Sequence, residues 1–202
     1  MDAKRKSKNS FNHQAEIYDT SNYSKYPREC YPFVLNAISQ IRFHKVLDLG
    51  CGTGVILEEI GRKYRTAELF GLDLSENMIA QARQRLESTA ELSVGDAENL
   101  PYADNSFDLV CCVESFHHYP DPAKALSEIK RVLKKDGIFL LCDTWAKSPL
   151  RQVLNIFIRF SNDGDVHIYS KNEVNKLLTE AGLNSISWEL ITNHAYLSIS
   201  KK

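Results

Sequence analysis

Apolar residues along the chain follow two alternating patterns: short continuous runs, and longer stretches with helical spacing. Runs such as 45–49 (KVLDL) and 107–113 (FDLVCCV) are typical of buried strands. Stretches such as 55–64 place apolar side chains three and four residues apart, which predicts amphipathic helices. The predicted strands are 45–49, 68–74, 92–94, 107–113, 138–143, 186–191 and 195–200. The predicted helices are 11–18, 29–41, 55–64, 122–133, 150–160 and 170–181, with one more beginning after Ser75.

The alternation of strands and helices predicts an α/β fold of the Rossmann-like, doubly wound type. Most of the seven strands should be parallel, because each helix serves as a crossover, and helices should cover both faces of the sheet. The last two strands are too close for such a crossover. We therefore expect them to pair antiparallel and to leave one antiparallel edge strand.

The length and composition fit a single globular domain, and the net charge disfavours nucleic acid and anionic membranes as partners. The 202 residues suit a single α/β domain, and a formal net charge of −1 gives no global attraction to nucleic acid or an anionic membrane. Five cysteines form an odd set without Cys-x-x-Cys spacing, which favours reduced thiols. No secretory leader or long apolar stretch is evident, so we expect a cytoplasmic protein without a membrane partner.

Glycines and acids cluster where the first three predicted strands end. Residues 50–54 (GCGTG) follow the first strand directly and lead into a helix. Asp73 ends the second strand, where an acid can accept both hydroxyls of a ribose. Asp96 and Ala97 follow the third, where a carboxylate and an amide could receive the edge of an adenine. Since the carboxyl ends of parallel strands meet at one edge, these groups predict a nucleoside site.

The spacing of this loop favours an amino-acid nucleoside over a dinucleotide. The dinucleotide fingerprint is Gly-x-Gly-x-x-Gly, but here the third glycine comes one residue early. Asp48, inside the first strand, would repel a pyrophosphate and attract an ammonium group. An NAD-dependent oxidoreductase is therefore the disfavoured alternative.

Four segments together resemble the motifs of class I S-adenosylmethionine (SAM)-dependent methyltransferases, in particular the ubiquinone/menaquinone-biosynthesis-like (methyltransferase type 11) branch. They are VLDLGCGTG at 46–54, GLDLSENMIAQAR at 71–83, GDAENLPYADNSFDLV at 95–110 and SFHHYPDPAKALSEIKRVLKKDGIFLLCD at 115–143. The resemblance implies SAM as cofactor. It also implies that Gly50 and Gly52 flank its methionine portion, that Met78 packs against adenine, and that Glu114 borders the methionine end.

The resemblance also organises the rest of the chain. Residues 1–10 are expected to be a disordered basic tail, and 11–202 one methyltransferase domain. Within it, 11–44 form an N-terminal lid, 45–143 the cofactor-binding core, and 144–170 a cover on the acceptor side. Tyr18 is the candidate lid residue. The complete predicted cofactor-binding set is Tyr18, Asp48, Gly50, Cys51, Gly52, Asp73, Leu74, Met78, Asp96, Ala97 and Glu114.

The sequence says less about the catalytic residues and the methyl acceptor than about the cofactor site. His117 and His118 follow the fourth strand and are the candidate proton acceptors. No metal site is predicted. A small-molecule acceptor is favoured, because the Asn/Asp-Pro-Pro-aromatic loop of base-amine methyltransferases is replaced by Glu114–His117 (ESFH) and the core has no basic stripe. A nucleic-acid or protein methyltransferase and a non-catalytic SAM-binding protein stay open as alternatives.

Overall fold

The computed structural model describes residues 2–161 and 163–202 and contains one seven-stranded sheet flanked by helices. The strands are β1 (Lys45–Leu49), β2 (Glu68–Asp73), β3 (Ala90–Val94), β4 (Phe107–Val113), β5 (Leu133–Thr144), β6 (Asn184–Leu190) and β7 (Ala195–Lys201). The helices are α1 (Ala3–Gln14), α2 (Lys25–Ile38), α3 (Val55–Lys63), α4 (Glu76–Leu86), α5 (Pro122–Val132), α6 (Leu150–Phe157) and α7 (Lys171–Glu180).

The strands are ordered β3-β2-β1-β4-β5-β7-β6 across the sheet. The first five strands in this order are parallel to one another, whereas β7 pairs antiparallel with both β5 and β6. The predicted doubly wound fold, with one antiparallel strand near its edge, is confirmed. The antiparallel strand, β7, lies between β5 and β6 and is not the edge strand itself. The long connection from β5 through α7 places β6 at the edge of the sheet.

Local signals in the sequence explain why several helices begin where they do. The Ser75 hydroxyl accepts the Met78 amide at the start of α4 (3.1 Å). Asp121 caps α5, which has Pro122 in its first turn. Ser170 and Glu173 form a reciprocal capping box at the start of α7. These caps set the ends of helices that follow strand ends, so they help to position the loops between them.

Two apolar layers sandwich the sheet. One contains Phe107, Phe139 and the buried face of α5, and the other contains the buried residues of α2 and α3. The neighbouring residues Cys111 and Cys112 belong to opposite layers, as alternation along a strand requires. All five cysteines are free and buried. Among the described residues, no helix has the length and apolar character needed to cross a bilayer.

Residues 2–10, the described part of the predicted disordered tail, do not form such a tail. Ala3–Gln14 is helix α1, and its Lys4 ammonium lies 2.7 Å from Asp96 Oδ2. Lys8 pairs with Glu76, and the Phe11 ring packs edge-on against His118 at 5.1 Å. The basic run is ordered because it meets acids at the carboxyl ends of the strands, which a reading of local composition cannot reveal.

Candidate functional site

A cavity that opens to solvent lies beyond the carboxyl ends of β1, β2, β3 and β4, with about 990 Å³ of empty space when the solvent at its mouth is included. All eleven residues of the predicted cofactor-binding set line it, although they are spread from Tyr18 to Glu114 along the chain. Of the two predicted catalytic residues, His118 lines the cavity and His117 does not. The structure thus brings the predicted set together, while the role of each residue stays a prediction.

The glycine loop forms the floor of the cavity with a left-handed backbone. Gly50 has φ +75° and Gly52 has φ +51°, conformations that side-chain-bearing residues rarely adopt. A Cβ at Gly50 would lie 2.1 Å from Ser115 Oγ, whereas a Cβ at Gly52 would have no atom within 4 Å. Gly50 is therefore needed for packing of the loop, and Gly52 leaves open space inside the cavity.

This difference gives a matched pair of variants. Gly52→Ala should unfold at a temperature only slightly below that of the wild type, because left-handed backbone costs alanine about 1–2 kcal/mol. Gly50→Ala should be clearly less stable, since it adds a clash with Ser115. Gly52→Ala should nevertheless weaken cofactor binding, because its methyl group enters the cavity. Thermal unfolding and calorimetric binding test both points, and equal stability of the two variants would contradict the packing argument.

Asp73 ties the glycine loop to the start of α4. Its Oδ2 accepts the Gly52 amide at 2.9 Å and its Oδ1 accepts the Ser75 amide at 2.8 Å. Burial raises the pKa of Asp73, and these backbone hydrogen bonds partly oppose that rise. The carboxylate is thereby held in one orientation at the cavity wall, with lone pairs left over for further donors.

Asp48 is a buried acid beneath the same loop. It is 2% exposed, and Cys111 Sγ lies 3.6 Å from its Oδ1. Burial raises the pKa of Asp48 to about 7, with the nearby Asp73 adding to the effect and the Cys111 hydrogen bond reducing it. A positively charged group entering the cavity would favour the ionised form, as expected of a residue that meets a ligand ammonium.

The far end of the cavity is covered by helix α1. Lys4 Nζ bonds Asp96 Oδ2 at 2.7 Å and Glu98 Oε2 at 2.5 Å, so it shares the acid predicted to contact adenine. Sequence reasoning missed Lys4, Lys8 and Phe11 because a basic, polar segment resembles a solvated tail. Their spacing of four and three residues, which places them on one helical face, was the available signal.

Glu114 closes the cavity at the end of β4. Its backbone is left-handed (φ +51°), and its Oε2 accepts the Thr144 hydroxyl at 2.7 Å. Burial and the charge of Asp143 raise the pKa of Glu114 to about 7, against an opposite effect of His117. Tyr18 lies nearby, and burial together with the charges of Glu114 and Asp73 raises its pKa, so it stays a neutral phenol.

The two histidines have different environments. His117 Nδ1 lies 2.6 Å from Asp143 Oδ1. Burial alone would lower the pKa of His117, but Asp143, Glu114 and Asp165 together raise it to about 9. Burial and the neighbouring His117 lower the pKa of His118 well below its usual range, so its imidazole is neutral at pH 7. His118 is the histidine that an acceptor in the cavity could reach.

The predicted acceptor-side cover, 144–170, is only partly where we expected it. Helix α6 lies within this segment, but among the described residues of the cavity wall none belongs to α6. Its apolar side chains, including Ile156 and Phe157, are instead exposed to solvent. The structure therefore does not bear out α6 as a helix over the cavity mouth, and the helix that does cover part of the cavity is α1, through its ion pairs with Asp96, Glu98 and Glu76.

Comparison with known proteins gives consistent matches. Residues 47–141 match the model of a family described as "Methyltransferase domain". The chain is 30% identical over 193 residues to the malonyl-[acyl-carrier protein] O-methyltransferase of Geobacter sulfurreducens, covering 91% of this chain and 72% of that protein. It is 32% identical over 158 residues to the demethylmenaquinone methyltransferase of Thermotoga maritima, covering 72% of this chain and 69% of that protein.

A solved structure shares the architecture. The crystal structure of a SAM-dependent methyltransferase from Aquifex aeolicus superimposes with a TM-score of 0.72 at 20% sequence identity. The match covers 92% of this chain and 96% of that one. At this identity the likeness establishes the fold, whereas the family relationship rests on the sequence matches.

Proposed function

The chain belongs to the family of SAM-dependent methyltransferases, and from that premise we propose that it binds SAM in the cavity over the glycine loop and transfers its methyl group to a small-molecule acceptor. The observation that carries the proposal is the open space above Gly52, between the buried carboxyl groups of Asp48 and Asp73. Because Gly52 has no Cβ, a ligand can approach the loop closely, and the two acids suit a ligand that has both an ammonium group and a ribose.

Different residues of the cavity wall would contact the methionine, ribose and adenine portions of the cofactor. Gly50, Cys51 and Gly52 would lie against the methionine portion, with Asp48 and Glu114 nearest its charged end. Asp73, already oriented by two backbone amides, would accept the ribose hydroxyls. The adenine would lie in the part of the cavity lined by Leu74, Met78, Asp96 and Ala97. Tyr18 would close the cavity on the side opposite the sheet.

The chain's own contribution to transfer is positioning and the exclusion of water. SAM, when bound, supplies a methyl group already activated by the positive sulfur. Helix α1 and Tyr18 cover the cavity, which would hold the acceptor in line and keep solvent out. His118 is neutral at pH 7 and lines the cavity, so it is the residue able to accept a proton from an acceptor hydroxyl or amine.

A small acceptor is proposed from the enclosure of the cavity and from the relatives. The names of the two relatives described above specify malonyl-[acyl-carrier protein] and demethylmenaquinone as their substrates. The cavity is covered by α1 rather than open along a basic face, which disfavours a nucleic acid. We infer a substrate that enters as a small or slender group.

Calorimetry followed by an acceptor screen tests the proposal. SAM and S-adenosylhomocysteine should bind with one site per chain, and NAD should show no saturable binding. A panel of hydroxy acids, acyl esters, quinols and amines should then contain a compound that accelerates release of S-adenosylhomocysteine. Binding of NAD in preference to SAM would reject the proposal. Tight SAM binding with stimulation by RNA or protein, and by none of the small molecules, would replace the proposed acceptor class.

A further inference from the structure

Two histidines and one aspartate converge beside the cavity, and the methyl-transfer proposal uses only one of them, His118. His117 Nε2, His118 Nδ1 and Asp165 Oδ1 belong to a group whose potential ligand atoms all lie within 4.8 Å of one another. We propose that these three side chains form a binding site for one divalent first-row transition metal ion. The inference goes beyond the proposed function and does not rest on it, and it replaces the sequence expectation that no metal site exists.

The separations of the three atoms suit a common ion. His117 Nε2 lies 3.6 Å from Asp165 Oδ1, and His118 Nδ1 lies 3.2 Å from the same oxygen. With bonds of about 2.1 Å from nitrogen and oxygen to a metal, these separations correspond to angles of ~118° and ~100° at the ion. Both values lie within about 10° of the tetrahedral angle. Two histidines and one carboxylate are also a set that transition ions such as Zn²⁺ and Fe²⁺ prefer.

An orphaned nitrogen points to a missing partner. His118 is 9% exposed, and its Nδ1 is buried without a hydrogen-bond partner. Asp165 Oδ1 is near enough, at 3.2 Å, but the pair lacks the alignment of a hydrogen bond. A buried ring nitrogen without a partner costs free energy. A metal ion bound between His118 Nδ1 and Asp165 Oδ1 would give this nitrogen a partner.

Neighbouring groups orient the proposed metal-binding side chains through hydrogen bonds, as the residues behind the ligands of a metal site usually do. His117 Nδ1 bonds Asp143 Oδ1 at 2.6 Å, which turns Nε2 toward Asp165. A carboxylate behind a histidine is the usual partner that orients a metal-binding ring. The Val166 amide donates to the His117 carbonyl at 2.8 Å. This backbone bond keeps Asp165 beside the histidine pair although 48 residues separate them along the chain.

A second group in the same region is a weaker candidate. Cys30, Glu114 and Cys142 also have ligand atoms within 4.8 Å of one another. Both Glu114 oxygens already have partners, because Thr144 donates to one and Cys30 lies 3.7 Å from the other. Among the described residues, neither oxygen of Glu114 is a buried atom left without a hydrogen-bond partner. This cysteine group therefore serves as the rival that the experiment must separate.

An ion at this site would lie next to the bound acceptor. His118 is part of the cavity wall, and Asp165 comes from the connection between β5 and α7. A divalent ion with a free coordination position could bind an acceptor hydroxyl or carboxylate and lower the pKa of the hydroxyl. The site thus takes a first-row transition ion as ligand and an oxygen-bearing acceptor as the class of molecule that it would hold.

Direct metal binding by the untagged full-length chain tests the inference without any activity measurement. Protein stripped with a chelator is titrated with Co²⁺, read by visible absorption, and with Zn²⁺, read by calorimetry and elemental analysis. We expect one ion per chain and no saturable binding of Mg²⁺ at the same concentrations. Asp165→Asn and His118→Gln should each weaken binding more than ~100-fold, since loss of a ligand should exceed the effect of an outer partner.

Two control variants make the result decisive. Asp163→Asn changes the neighbouring acid in the same segment, and Cys30→Ser disables the rival cysteine group, so both should bind the ion as the wild type does. Circular dichroism checks that each variant is folded. The inference is overturned if the wild type retains no ion, if folded Asp165→Asn and His118→Gln bind Co²⁺ like the wild type, or if Cys30→Ser is the variant that loses it. Because SAM calorimetry is separate, failure here leaves the proposed function to its own test.

Discussion

Replacement of Asp73 by alanine is expected to weaken binding of SAM and S-adenosylhomocysteine by roughly 10²–10⁴-fold. The variant would leave two ribose hydroxyls without their acceptor, at a cost of about 1–3 kcal/mol for each unsatisfied group. It would also release the Gly52 and Ser75 amides that Asp73 now holds, so the glycine loop would lose its orientation. Isothermal titration calorimetry with S-adenosylhomocysteine measures the effect without the complication of turnover.

Two further variants separate ribose recognition from general destabilisation. Asp104→Ala removes an exposed aspartate that pairs with Arg131 far from the cavity, and it should leave cofactor affinity unchanged. Asp73→Asn keeps one acceptor oxygen and should fall between the wild type and Asp73→Ala. Melting temperatures of all three identify any loss of fold. If a folded Asp73→Ala variant binds S-adenosylhomocysteine as the wild type does, the assignment of the ribose site is wrong.

Cofactor affinity should rise as pH increases from 5 to 7, by up to about tenfold per pH unit, and level off above 7. The reason is Asp48, whose pKa burial raises to about 7, so that below this pH it must lose a proton to meet a ligand ammonium. The ammonium itself begins to lose its proton near pH 8, which should turn the curve downward again. Calorimetry in buffers of different ionisation enthalpy should detect the released proton directly.

The matched variant is Asp48→Asn, which has no proton to release. Its affinity should be lower than that of the wild type and should depend less steeply on pH between 5 and 7, where Glu114, whose pKa is also raised to about 7, still titrates. In the free protein the sign for stability is opposite. The folded pKa of Asp48 exceeds the unfolded value of about 3.9, so its stabilising contribution is complete below pH ~4 and is lost as pH rises through about 7. A variant with the pH profile of the wild type would remove Asp48 from the recognition of the ammonium.

Periodicity and turn chemistry were sufficient to predict the sheet and to predict that the glycine loop and the acids at successive strand ends lie around one cavity. Strands β1 and β4 lie within the predicted bounds, and Ser75 and Ser170 cap their helices as hydroxyl residues at such positions should. Acids at successive strand ends could be placed together because parallel strands end at one edge. These features depend on local sequence and on topology, both of which a single chain displays.

Long-range pairing accounts for what the sequence did not predict. Helix α1 covers the cavity because Lys4 meets Asp96 and Glu98, 92 and 94 residues away. Nothing in a basic decapeptide indicates that such partners exist. The convergence of His117 with Asp165 is of the same kind, since their separation along the chain hides their proximity. The apolar composition of α6 also led to an expectation that the structure does not bear out. A helix with such an apolar face ordinarily packs over a pocket, but here that face is exposed to solvent.

The pairing of Lys4 with Asp96 has a practical consequence for measurement. The Lys4 ammonium bonds the same carboxylate that the adenine amino group is expected to contact. A purification tag or fluorophore joined directly ahead of α1 would perturb the docking of that helix and thereby change the apparent dissociation constant of the cofactor, although it would touch none of the cofactor's own contacts. Dissociation constants measured with a label next to α1 therefore should not be taken for those of the unlabelled protein, and a label placed away from α1 is the better choice.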